Sequence, residues 1–262
     1  MDGLEIERVG DVTLVILRAV SNEFRDHIRD RLAEYCYGSS VVHEDQEFYS
    51  FRQTMEELLA RYESKPHETK VGLAGELIVH MLMPVLHADL TAASAYFNKE
   101  ERSIKKGFDL TFLSTIENEI WYGEVKSGEP GKRSADAKAN ERIKTASKSI
   151  SEMLNDDAHL SRWDAAINDT YLTLQSDHSK SARELLRTDR QTLRRGASIE
   201  QRVVLASTVI HELNHCTITS SGLTNITNEI NSIATFRDKR VLIIQQEALE
   251  TIIDELRGIG NA

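Results

Sequence analysis

Two short apolar runs, GFDLTFL at 107–113 and EIWYGEVKSG at 119–128, are separated only by the polar stretch STIEN. So short a connection suits an antiparallel hairpin of two strands. Directly afterwards, Ala135, Ala139, Ile143, Ala146, Ile150 and Met153 recur at helical spacing between Ala135 and Leu154. A strand hairpin followed by a long amphipathic helix commits the middle of the chain to a sheet with helices packed on it.

The flanks continue the pattern. Within 4–20, the β-branched run VTLVILRAV predicts a strand, and NEFRDHIRDRLAEY predicts a helix through Phe24, Ile28, Leu32 and Tyr35. A second amphipathic helix is expected over 46–62, and a third from Thr69, after the loop ESKPHE. The third has a main apolar face of Ala74, Leu77, Ile78, Met81, Leu82 and Val85, while Val79 and Met83 make its other side apolar as well. It is expected to be buried nearly all round, with Glu76 on the second side. An ionised carboxylate there is costly unless a cation or a hydrogen-bond donor meets it.

Toward the C-terminus, helix and strand alternate: SARELLRTDRQTLRRGA helical, RVVLASTVI extended, NITNEINSIATF helical, RVLIIQQ extended, ALETIIDELRG helical. The expected fold class is α/β, a central mixed sheet flanked by helices with an N-terminal elaboration. With 262 residues, three prolines, no internal repeat and no Pro- or Gly-rich linker, one domain is expected, 1–64 being the elaboration and 65–262 the core.

Composition sets outer limits. Hydrophobic residues at 40% and charged residues at 28% are those of a folded globular protein. MDGLEIERVG is acidic where a secretory signal needs positive charge, so a cytoplasmic protein is expected. The run VVLASTVI is far short of the roughly 20 residues of a membrane span, so no membrane insertion is expected. Cys36 and Cys216 have no C-x-x-C partner and are expected to be plain buried thiols. A net charge of −10 argues against a chain that coats nucleic acid by itself, because phosphate binding draws on clusters of Lys and Arg. A nucleic-acid enzyme with this balance would borrow affinity from a partner.

Charged residues inside the two apolar strands carry the chemistry. Asp109 lies in GFDL, and Glu124 and Lys126 lie in GEVK. Residues two apart on a strand share a face, so Glu124 and Lys126 project together while Val125 turns to the core. Antiparallel pairing brings Asp109 toward Glu124, and Glu76 adds an acid from a helix upstream. Three carboxylates and an amine in the order Glu, Asp, Glu-x-Lys form the PD-(D/E)xK pattern of a metal-dependent nuclease. The acids hold Mg²⁺, and the lysine orients water or offsets charge building on the phosphate. The same pattern arises by chance, with Asp109 as a strand-end residue and Glu124 and Lys126 on a solvated strand face. Lys138, Arg142, Lys144 and Lys148, off the apolar stripe of the following helix, are candidate phosphate contacts or a solvated face balanced by Glu141.

A rival pattern is His211-Glu212-Leu213-Asn214-His215, which matches the zinc-protease motif H-E-x-x-H, with Glu229 as a conceivable third ligand. The preceding RVVLASTVI favours a strand, on which the two histidines would stand about 13 Å apart, too far to share one ion.

The residues resemble the nuclease subunit HamA of the Hachiman antiphage system and its relatives, among them the related subunit of the AbpAB defence pair. The resemblance rests on GELIVHML around Glu76, KKGFDLTF around Asp109, and IWYGEVKSG followed by ADAKANERIKTASKSISEML, and it covers 70–155 best. It implies a PD-(D/E)xK restriction-endonuclease-like core and DNA cleavage dependent on Mg²⁺, with Mn²⁺ able to substitute. It also implies a hetero-complex with a helicase or ATPase subunit that restrains the nuclease. Metal and catalytic roles pass to Asp109, Glu124 and Lys126, and to Glu76. Phe108 stands where the motif's name puts proline, which leaves the ligand chemistry intact. A catalytically silent adaptor on the same fold is the alternative from another class.

Overall fold

The computed structural model describes residues 2–97, 107–213, 216–247 and 251–260. The chain opens with strands β1 (Leu4–Val9) and β2 (Val12–Leu17), then helices α1 (Asn22–Tyr37), α2 (Ser39–Glu44), α3 (Phe51–Glu63) and α4 (His67–Leu86). Strands β3 (Leu90–Ala92), β4 (Leu110–Ser114) and β5 (Glu119–Gly128) follow, then helices α5 (Ala135–Asn155), α6 (Ser161–Thr173) and α7 (Ser176–Arg194). The last elements are β6 (Arg202–Ile210), α8 (Ser220–Asn231), β7 (Asp238–Gln246) and α9 (Thr251–Gly260).

All seven of these strands join one mixed sheet in the order β1-β2-β7-β6-β5-β4-β3. The central β2, β7, β6 and β5 run parallel, and antiparallel strands complete both edges. Parallel strands covered on both faces need apolar residues at every position, and β6 is buried along its whole length. Side chains of α1, α3, α4 and α9 meet Phe112, Trp121, Val125 and Ala206 on one face. Those of α5, α6, α7 and α8 meet Leu113, Tyr122, Leu205 and Ile243 on the other.

Helix α4 is the main support of the first face. Leu77, Ile78, Val79, Met81, Leu82 and Met83 are fully buried, each stabilising the fold by about 1.5–3 kcal/mol relative to exposure. Among the described residues it is also the one helix long and apolar enough to cross a membrane, but 56% of that apolar stretch is buried inside the fold, as in a core helix. On the other face, Ser134 caps α5, its hydroxyl accepting the Ala137 N–H. Ala135, Ala139, Ile143, Ala146 and Ile150 are fully buried against the sheet.

The structure departs from the sequence expectations in several places. The N-terminal strand is a hairpin, turned at Gly10 (φ 58°). The helix expected over 46–62 starts at Phe51, and α8 begins and ends earlier than NITNEINSIATF. Elements α2, β3 and α6 have no counterpart in the expectations. Val85 is 41% exposed in the last turn of α4, and Cys216 is only half-buried, its Sγ accepting the Ala135 N–H.

Candidate active site

The hairpin of β4 and β5 sets the site. Phe112 pairs with Trp121 and Leu110 with Gly123, so one further step places Asp109 opposite Glu124. Asp109 lies just outside β4, which begins at Leu110 and not, as expected, at 107. The physical reason is visible on both sides of it. Phe108 packs against Tyr122 and Trp163, ring centroids 4.6 and 5.1 Å apart. The Asp109 carboxylate takes over the next backbone donor of β5, accepting the Val125 N–H at 3.0 Å. A glycine is needed before Glu124, because a Cβ at Gly123 would stand 2.8 Å from the Leu110 side chain.

Glu124 is 3% exposed, under α5. Its Oε1 accepts from Lys126 Nζ and from Ser149 Oγ at 2.8 Å, while its Oε2 is buried with no hydrogen-bond partner. Burial, reinforced by the Asp109 charge, pushes the Glu124 carboxyl up to about 7 against the opposing pull of Lys126 and Ser149. Burial alone would lower the Lys126 amine, but Glu124, Asp109 and Glu76 outweigh it and raise it above its ordinary value. Lys126 is therefore a cation at neutral pH.

Glu76 acts electrostatically on the same lysine from the other face of the sheet. Helix α4 lies close to β5 and β6: a Cβ at Gly75 would stand 1.8 Å from Ser127 Oγ and 3.1 Å from Thr208 Cβ. Glu76, the next residue, is half-buried and near enough to help raise both the Lys126 amine and the Tyr96 hydroxyl. Asp109, Glu124 and Lys126 are thus brought together, and Glu76 meets them through the lysine. Among the described residues no three His, Cys, Asp or Glu side chains form a ready cluster for a metal ion. The orphaned Glu124 Oε2 is nevertheless what a hard cation needs, a carboxylate oxygen held out of water with no competing donor.

A model of the HamA family matches residues 8–257, from β1 into α9. The chain belongs to the HamA family. Membership suggests a role in antiphage defence. No individually curated protein matches the sequence.

In this HamA-family chain the four basic residues of α5 do not form one exposed row. Lys138, expected off the apolar stripe, is buried and pairs with Glu141 at 3.1 Å. Lys144 pairs with Glu229 at 3.0 Å and Lys148 with Glu152 at 3.8 Å. Arg142 lies against the end of β5, so close that a Cβ at Gly128 would stand 2.7 Å from its Nε.

The zinc pattern gains nothing from the fold. His211 follows the last residue of β6, residues 211–213 are not helical, and His215 lies outside the described residues. Glu229 is engaged by Lys144 on α5.

Ser149 escaped the sequence reading. A serine beside an apolar stripe is an ordinary helix residue, and only the fold shows it against Glu124.

Proposed function

We propose that this chain is the nuclease of an antiphage defence complex, a Mg²⁺-dependent DNA endonuclease on a PD-(D/E)xK core. It would work in the cytoplasm with a helicase or ATPase subunit. One observation carries the reading: a nearly fully buried glutamate on a core strand keeps an unpartnered oxygen, beside an aspartate and a charged lysine. A fold does not bury a carboxylate in this way without a compensating role.

Asp109 and Glu124 would hold the divalent cation, Mg²⁺ or Mn²⁺, with Glu76, which acts on Lys126 from its far side, as the outlying third acid. When bound, such an ion polarises a phosphoryl oxygen and acidifies the attacking water. Lys126 places a fixed positive charge where negative charge grows on the phosphate during hydrolysis. Arg142, on α5 against Gly128 two residues beyond Lys126, suits a contact to the DNA backbone, its glutamate Glu141 standing at 4.0 Å, whereas Lys144 and Lys148 must first release Glu229 and Glu152. The net charge of −10 supports a partner that supplies most of the DNA affinity.

The pairing of Lys126 with Glu124, without a closed three-acid cluster among the described residues, favours a second reading, a catalytically silent adaptor. Plasmid cleavage with Mg²⁺ and the partner present separates the two. Wild type is expected to cut, and a protein carrying Glu124→Ala and Lys126→Ala is not. Equal cutting by both would remove this site from consideration.

A further inference from the structure

We propose that Ser149 is a positioning residue that fixes which oxygen of Glu124 is offered to a cation. The two oxygens of this carboxylate are unequal. Oε1 accepts two hydrogen bonds, from Lys126 Nζ and from Ser149 Oγ at 2.8 Å, while Oε2 accepts none although it is buried. A carboxylate that ligates a cation is ionised and only accepts, so in that state the Ser149 hydroxyl spends its single proton on Glu124.

The two donors come from different elements. Lys126 lies two residues along the same strand, and Ser149 faces it from α5. With Lys126 alone, the terminal torsion of the glutamate is broad and nearly two-fold. A flexible ammonium with three protons would then follow either oxygen. A short hydroxyl on a helix, anchored by the buried Ala146 and Ile150 on either side, removes that freedom. It holds Oε1 toward α5 and leaves Oε2 as the ligand atom. Partners of this kind, one layer out from the ion, commonly set metal affinity.

The assignment rests on the nuclease reading of the site, and the experiment tests the two separately. Mn²⁺ binding to the full chain is followed by electron paramagnetic resonance for wild type, Ser149→Ala, Ser149→Thr and Glu124→Gln. The Mg²⁺ dependence of plasmid cleavage is measured in parallel with the partner present. Ser149→Ala is expected to need about tenfold or more metal for half-saturation, with a single cooperative unfolding transition retained at a somewhat lower melting temperature and a near wild-type rate at saturating Mg²⁺. Ser149→Thr, which keeps the hydroxyl, is expected to restore the wild-type curve. If Glu124→Gln loses Mn²⁺ while Ser149→Ala binds like wild type, the role of Ser149 is refuted and the metal reading stands. A Ser149→Thr protein as weak as Ser149→Ala also refutes it, because packing and not the hydroxyl would then matter. Indistinguishable Mn²⁺ binding by wild type and Glu124→Gln overturns the metal reading, and the assignment with it.

Discussion

Two glycines one turn apart in α4 are expected to respond to the same substitution with opposite signs. At Gly72 a Cβ would meet nothing within 4 Å, so Gly72→Ala contributes only the removal of a flexible residue from a helix interior, a gain of about 0.5–1 kcal/mol. At Gly75 the same propensity gain is offset by collision. The new Cβ would stand 1.8 Å from Ser127 Oγ, 2.9 Å from Ser127 Cβ and 3.1 Å from Thr208 Cβ. A hydroxyl can rotate aside, but the two Cβ atoms are fixed by their strands, so the helix must move. Overpacking of this kind costs about 1–3 kcal/mol. With the severe overlap at the upper end, Gly75→Ala should lose about 1–2 kcal/mol net, and the two variants should differ by roughly 2–3 kcal/mol. Urea unfolding followed by circular dichroism at fixed temperature measures this. Adding Ser127→Ala to Gly75→Ala should recover part of the loss, as expected for residues in direct contact. A Gly75→Ala protein as stable as Gly72→Ala would show that α4 does not lie this close to β5 and β6, and the placement of Glu76 would fall with it.

Lys126→Met should remove the counter-ion of Glu124, whose carboxyl is already pushed up to about 7, so the loss of stability should be small at about pH 5–6, where Glu124 is protonated, and grow toward about 1–3 kcal/mol as pH rises. At the higher pH the double variant with Glu124→Gln should be markedly more stable than Lys126→Met alone; equal stability of the two in urea would contradict the coupling. His87, at the end of α4, is held down at about 4 by burial, aided by Arg240 and Arg8 and opposed by Asp89. Because the unfolded chain takes up that proton near pH 6.5 and the folded one only near 4, stability should be intact above pH 6.5 and fall as pH drops through this window. His87→Gln should flatten that part of a melting-temperature profile, and an unchanged acid slope would exclude His87 as its source.

The parts of the fold visible in the sequence are those set by local pattern. Helix α5 carries its own period, and the hairpin of β4 and β5 and the strands β6 and β7 their own β-rich runs; the structure puts each there to within a few residues. Asp109, Glu124 and Lys126 could be grouped because one short hairpin joins them. What stayed hidden depends on distant chain. Nothing in VTLVIL says that β2 will lie parallel to β7, since its partner is almost the whole chain away. The end of β4 at Leu110 depends on Phe108 finding Trp163 on α6. Lys138 looked solvated by helical period, but its stem is long enough to be buried while its amine reaches Glu141. The donor that holds Glu124 from α5 is one of several serines on that helix, and spacing does not single it out.

The pairing of β2 with β7 also governs when the molecule can be completed. On the edge away from β1, Val12 finds its neighbour in Val241, so during synthesis at about 5–20 residues per second that edge of the first apolar hairpin waits roughly 10–50 s for its partner. Through that interval a greasy ribbon protrudes from the ribosome with one backbone edge unmatched, a natural client for a holdase chaperone. Assembly should therefore be slow for a protein of this size, limited by a late encounter of its two ends.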